Sequence, residues 1–502
     1  MKYVLFFFLI LFPSLALAQP AADYYVDGLH GSNMNPGTSS GLPFLTLGAA
    51  EAVIGANQTL AVYGGASAIT PIKYREQFTT PASGITVIGW GSAKPDFDCS
   101  DVIPSGSFTQ TPGYSHIWQV TVTTANILGF LRSWEDTRAM TRAGSLAVLD
   151  VTAGQFHTSG NPQGNGIVSF ILYIHPIASD DPTSNGKAYE FNKRAYGLLS
   201  VASANVFNIR TLRNLCNNGS IEVGSGSYVS GVAADDGHKH NALAHQGSTW
   251  QDVTMTNSYY GQNRIALVLN DNIGDGVSTT IFRRITYTEN LEANGTGFFG
   301  HVNVSGQFGP VILEDCITIG KVYTAVSSFA STSLTITGGN FVGNVVLASD
   351  NNLLEYATIN GAQVQVPYSK PVEISHVTIQ GSATSGPGLV RVTFNPVLNI
   401  HHCVFTSVIP YDGAIYLNNT STATLTLLNN IFHAPVPLSH LNGLGTANLS
   451  LSSVIDGNVY HHPVGGPAWV QLGGTIYKIS ILAQWVAWQA QGFDPAGSVV
   501  SP

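Results

Sequence analysis

From about Val206 to Ala434 one short pattern recurs: apolar, any, apolar, two unrestricted positions, apolar, any, apolar. Val372, Ile374, Val377 and Ile379 form one copy, and Leu398, Ile400, Cys403 and Phe405 another. Further copies centre on Leu212, Val232, Val253, Ile285, Cys316, Phe341 and Ile431. Copies stand roughly 20 to 35 residues apart, the period at which a solenoid is considered before any other fold. Within each copy the apolar period of two predicts short strands, and the extra residue in the middle marks a strand that turns a corner and begins another.

The residues just before the third apolar position are Asp252, Asp315, Asn340, His376, His402 and Asn430. Such side chains tolerate tight backbone geometry and bond to nearby amides, so the spacing predicts that they occupy the coil corner. The fold class expected is all-β, a right-handed parallel β-helix whose core is stacked Val, Ile, Leu, Cys and Phe.

Outside the repeat the pattern changes. Residues 24 to 56 read as a strand, a polar loop and a short Ala-rich helix, with Thr46 as its N-cap. An open solenoid end exposes strand edges and apolar core, and a helix lying across it covers both. Between about Pro104 and Lys193 the coil pattern lapses, and Tyr173-Ile-His-Pro and Lys187-Ala-Tyr-Glu-Phe read as strands of a β insertion. This gives a signal peptide over 1–18, a cap with the first coils over 19–103, the insertion over 104–193, the helix proper over 194–460 and a C-terminal cap over 461–502. Arg132, Glu135, Asp136, Arg138 and Arg142 of the insertion read as a solvated or ion-paired surface.

The opening Tyr24-Tyr-Val-Asp-Gly, the stretch Tyr74-Arg-Glu, Gly84-Ile-Thr-Val-Ile-Gly-Trp-Gly and Lys94-Pro-Asp-Phe-Asp-Cys-Ser-Asp, and the ending Leu482-Ala-Gln-Trp-Val-Ala-Trp-Gln-Ala-Gln-Gly-Phe-Asp together resemble secreted right-handed parallel β-helix proteins of the pectate-lyase-like superfamily. That resemblance implies N-terminal and C-terminal helical caps. It also implies a choice among polysaccharide lyases, glycoside hydrolases and other members, because the superfamily hosts several chemistries.

Composition sharpens the class. Only 10% of residues are charged while 44% are hydrophobic, with 53 glycines, which suits an exported β-rich chain with many turns. Lys2, the apolar run Val4 to Leu17, and Ala16 and Ala18 ahead of Gln19 read as a secretory signal peptide, placing the product outside the cell, at its surface or in the periplasm. No later run is long enough for a membrane-spanning helix. A net charge of -9 argues against a nucleic-acid partner. It leaves room for an anionic polysaccharide if a local basic groove or a bound cation overcomes it. Four cysteines allow two disulfides, but Cys316 and Cys403 sit at inward repeat positions and read as small buried hydrophobes; Cys99 and Cys216 carry no such assignment.

The densest polar cluster is Asp235-Asp-Gly-His-Lys-His-Asn, with His245 beyond it. It follows the strand centred on Val232 and so is expected on the turn between strands. Counted in the repeat register, Asp236, Asn257 and Glu289 each stand four residues past an inward position, and equivalent positions stack about 4.8 Å apart. The same count aligns Lys239 with Tyr260 and His238 with Tyr259, with Arg264 a few residues later.

These residue types match β-elimination on a uronate polymer, which requires a base and a group that neutralises the carboxylate beside the proton removed. Asp235, Asp236 and Glu289 are the hard oxygen ligands that could hold Ca²⁺. Lys239 is the base, Arg264 its neutralising or proton-donating partner, and His238 or His240 the rival base. Tyr259, Tyr260, His245 and His301 are the substrate-binding candidates. The arrangement resembles a family of β-helix alginate and dermatan lyases that use Lys and Arg from neighbouring coils beside calcium. It departs from that family in the shorter spacing between the acids and the lysine. Two alternatives stand beside it: hydrolysis by paired carboxylates such as Asp235 and Asp236, and a non-catalytic glycan-binding or adhesive solenoid. Polygalacturonase-type Gly-His-Gly and Arg-Ile-Lys signatures and an Asp-Pro-His-Glu epimerase motif are missing. His401-His402 and His461-His462 have no clustered acid in the sequence and read as structural.

Overall fold

A computed structural model describes residues 19–500, apart from 128–132, 137, 160–163, 201, 214–219, 238–239, 259–264, 271–276, 290–301, 306–307, 321–323, 329–330, 362, 368–369, 382–388, 394–396, 407–413, 419–423, 434–437, 442–452, 462–469, 473–474, 478–481 and 491. The chain is a parallel β-helix. Among the described residues three 14-stranded sheets run along it, each receiving one strand per coil. The first sheet runs from Tyr24–Val26 to Val454–Asp456, the second from Lys73–Tyr74 to Ser498–Val500, and the third from Phe78–Thr79 to Thr475–Tyr477.

The repeat pattern is the imprint of the core. In the first sheet one inward column passes through Val206, Val229, Trp250, Phe282, Leu313, Ile336, Leu354, Ile374, Ile400, Leu427 and Ile455, each level with the next. All of them are buried, so a polar residue at any would lose its water without a partner. In the second sheet Phe405, Phe432 and Tyr460 stack ring on ring, at 4.9 and 5.3 Å between centroids.

The one-residue slip is a left-handed corner. Asp252, Asp315, His376 and His402 carry φ of 53, 51, 55 and 56°, as the pattern predicted. Arg284 and Tyr356 do the same at 51 and 53°, a conformation that costs a non-glycine residue about 1–2 kcal/mol. Neighbouring corners offset part of that cost. The Arg284 guanidinium donates Nε and Nη2 to the two Asp252 oxygens at 2.6 and 2.9 Å, and the Tyr356 and His376 rings stack at 4.8 Å.

Two corner assignments need correcting. Asn429, not Asn430, takes the left-handed turn, and Asn430 faces inward, fully buried. Asn340 opens a strand, because Gly338 and Gly339 (φ 70 and 91°) make that corner. A Cβ on Gly339 would stand 2.4 Å from the Cys316 carbonyl oxygen. Gly339→Ala is therefore expected to destabilise by about 1–3 kcal/mol, read as a lower urea midpoint; an unchanged midpoint would show that this corner relaxes freely.

Both ends are capped. Helix α1, Leu47–Glu51, buries Leu47 and Ala50, and Thr46 Oγ1 accepts from the Ala49 N–H at 3.2 Å. At the other end Leu482–Gln489 forms a helix that buries Trp485 and Trp488, with Trp485 edge-on to Tyr460 at 5.8 Å.

The insertion is β. A five-stranded sheet includes the long antiparallel pair Trp118–Ile127 and Gly164–His175, and a four-stranded sheet joins Ser100–Ile103, Tyr189–Asn192, Ser133–Glu135 and Arg138–Ala139. Their own core contains Phe108, Val122, Phe156, Phe170 and Tyr189. Glu135 is buried rather than solvated: it pairs with Lys187 and accepts from the Ile177 N–H at 2.6 Å. Cys99 is buried, and Cys316 and Cys403 are buried free thiols that burial pushes up to about 12. Cys216 lies outside the described residues.

Candidate functional site

Asp235 and Asp236 lie within a strand, Ala233–Gly237 of the second sheet, not on a turn. Val232 is the inward residue at the corner, and the chain continues extended past the apolar pair, so outward Asp235 stays on the sheet. Asp235 pairs with Thr256, Gly237 with Ser258, and Thr256 with Thr288. The same offsets put positions 236, 257 and 289 level on three successive rungs. His240 opens the next third-sheet strand and pairs with Ile265, so Lys239 and Arg264 each stand immediately before one of two paired residues. The side chains of Asp236, His240 and Glu289, and the whole of His238, Lys239, Tyr259, Tyr260, Arg264 and His301, lie outside the described residues.

Two members of the predicted cluster have other engagements. His245 follows a third-sheet strand, and its Nε2 lies 3.3 Å from Glu222 Oε1 on that same sheet, so it is not on the sheet that carries Asp235. Asp235 is already engaged: its Oδ2 accepts from Arg210 Nε and its Oδ1 from Thr256 Oγ1, both at 2.6 Å. Among the described residues no three His, Cys, Asp or Glu side chains converge as a metal site.

What surrounds Asp235 is a charged cluster that the repeat count did not reach. Asp96 and Asp98 alternate on one second-sheet strand and so share its outer face. Asp96 is level with Lys73 and Arg210, and Asp98 with Leu212 and then Asp235. Glu190 comes down from the insertion. It pairs with Arg213 and, at 2.5 Å, with Arg75. Around Oδ2 of Asp98 stand Arg75, Arg213 and Lys73 nitrogens at 3.6, 3.8 and 3.9 Å, while its Oδ1 accepts from the Ser100 N–H and hydroxyl at 3.0 and 2.8 Å. Arg213 also lies over the Trp134 ring, 5.0 Å from its centroid.

The cluster has an exposed cationic edge over a buried interior of both signs. Asp96, Asp98, Glu190 and Arg213 are buried, whereas the side chains of Lys73 and Arg210 are 37 and 39% exposed. Burial raises Asp96 to about 6, against the opposing pull of Arg210 and Lys73. Burial lowers Lys94, partly offset by Asp235, and it lowers Lys73, with Arg213 adding to the effect. A signal for this cluster was present in the sequence: Asp96 and Asp98 alternate at the period of a strand, which places both on one face, with Lys94 just ahead of that strand.

No protein-family model matches the sequence, and no curated protein matches it. Solved structures do. One described as the complex of XylC with xylose matches over 95% of this chain and 85% of its own, with a TM-score of 0.53 and 10% identity. A structure described as a glycoside hydrolase gives a TM-score of 0.41 at 10% identity, covering 88% of this chain and 96% of its own. The native GH136 lacto-N-biosidase from Eubacterium ramulus gives 0.29 at 11%, covering 95% of this chain and 66% of its own. At such identities likeness extends to the fold and no further, and what this chain shares with XylC is the parallel β-helix.

Proposed function

We propose that this is an exported carbohydrate-active protein that binds an acidic polysaccharide across the outer face of the second sheet, beside the insertion, and cleaves it by β-elimination. The observation that carries this reading is the layering of the site: Lys73 and Arg210 face solvent above carboxylates that are buried or already paired. An exposed cationic edge suits a uronate carboxylate. Described carboxylates with both oxygens engaged, or with no access to solvent, do not suit a pair of hydrolytic acids. The fold is compatible with a sugar ligand, since XylC, which shares it, has been described with xylose.

In the reaction a neutral lysine takes the proton from C5, next to the carboxylate that Arg210 or Arg264 neutralises. The electron pair forms the C4–C5 double bond, the C4–O bond breaks, and the departing oxygen takes up a proton. Lys239 is the first candidate base. Lys94 is the second, because burial already favours its uncharged form.

Alginate, pectate and glycosaminoglycans, each with and without calcium, provide the test. Ultraviolet absorbance of an unsaturated product is expected from at least one polymer. Lys239→Ala or Lys94→Ala should lower kcat about 100-fold or more for whichever lysine is the base, and Arg210→Ala should lower kcat/KM with it. Reducing ends without that absorbance would replace elimination by hydrolysis, and binding without either product would make the groove a purely binding surface.

A further inference from the structure

On the edge between the first and second sheets the structure contradicts the expectation that His401 and His402 lack an acid. Glu373, one coil back, places Oε1 3.2 Å from His401 Nε2. Consecutive residues of a strand project to opposite faces, yet the left-handed φ of His402 swings its ring to the same side as that of His401. Their two Nδ1 atoms then lie 3.0 Å apart.

We propose that His401 and His402 bind a divalent transition-metal ion of the imidazole-preferring class, for which Zn²⁺ is the probe. Imidazole nitrogens sit about 2.0–2.1 Å from zinc, so two of them at a tetrahedral angle stand roughly 3.3 Å apart, a small ring rotation from the observed spacing. The outer nitrogen of His401 already has the kind of neighbour that orients a ligating histidine, the Glu373 carboxylate. The Asn429 amide nitrogen lies 3.5 Å from the outer nitrogen of His402; it is a donor, so ligation through Nδ1 requires that amide to turn its oxygen to the Nε2–H.

The ring of His402 is also held in plane. His376 stacks on it at 5.0 Å and 5°, and Tyr356 stacks on His376 in turn. His402 is exposed and the His401 side chain is 22% exposed, so an ion reaches the pair from solvent. The protein supplies two ligands and water the rest, since no third His, Cys, Asp or Glu among the described residues converges there. Glu373 also lines a shallow groove of about 390 Å³ with Thr335, Leu353 and Asn399, which puts the ion at the rim of a surface separate from the Asp235 site.

Calorimetric titration of the whole protein with Zn²⁺ tests the proposal on wild type, His401→Gln, His402→Asn and Glu373→Gln. Asparagine accepts the left-handed corner, as Asn429 does one coil on, and thermal unfolding of the zinc-free variants separates a folding defect from a lost ligand. The expected result is one zinc equivalent in wild type that is lost in either histidine variant and bound about 10-fold or more weakly in Glu373→Gln. No zinc uptake by wild type, or unchanged stoichiometry and affinity in His401→Gln and His402→Asn, would overturn it.

Discussion

Replacing Arg213 by alanine is expected to destabilise the protein by about 3–5 kcal/mol, the cost of leaving buried charge without its partner. The Arg213 side chain is only 6% exposed, and it pairs with Glu190 and approaches Asp98, whose own side chains are 5 and 0% exposed. Without it Glu190 keeps Arg75, but Asp98 loses one of the three cations around its Oδ2, and the face of Trp134 is uncovered. Glu190 and Trp134 both belong to strands packed onto the helix by the insertion, so the loss should be concentrated where the insertion docks. Urea denaturation gives the magnitude, and limited proteolysis should cut the insertion first. Arg213→Lys keeps the charge without the planar fork and should lose less. A loss below about 1 kcal/mol in Arg213→Ala would mean that the cluster behaves as an exposed one.

Asp494→Ala is expected to cost about 3–5 kcal/mol, because each buried donor left unpaired costs about 1–3 kcal/mol. Asp494 closes a ladder of buried amides. The Asn430 amide donates to Asn458 Oδ1 at 3.0 Å, the Asn458 amide donates to Asp494 Oδ1 at 2.9 Å, and the Tyr460 hydroxyl donates to Asp494 Oδ2. Burial raises the Asp494 carboxyl above its ordinary range, despite those donors. A folded-state value above the unfolded one means that the acid form stabilises. Its contribution is complete below the unfolded carboxylate range and is lost as pH climbs through the raised value. Wild type should therefore lose stability over that upward interval, and Asp494→Asn, which cannot ionise and tolerates the φ of 50°, should lose less, keeping only the share that Asp96 contributes. Denaturation of both across mildly acidic to neutral pH reads the difference; parallel curves would show that Asp494 does not titrate in that interval.

How far the sequence could be read follows from what each position must do. The inward columns were legible because every coil buries the same positions, so Val, Ile, Leu and Phe recur at spacings a reader can count. Corners were legible where they used Asp or His, and were misplaced by a residue or two where glycine pairs or an inward Asn shared the work. Register carried further than the chemistry did. The count that aligned positions 236, 257 and 289 agrees with the strand pairing. Yet Asp235 proved to be bound to Arg210 and Thr256, because outward side chains choose partners across strands by reach and charge.

The sequence by itself determined the solenoid, its caps and the presence of a β insertion, since burying apolar side chains once per coil writes a period into the chain. Only the tertiary structure decided which polar groups meet. Glu190 reaches Arg75 and Arg213 because an inserted sheet folds back onto the first coils, and His401 faces His402 because His402 itself adopts a left-handed turn. Neither juxtaposition has a period, so neither leaves a repeating mark in the sequence.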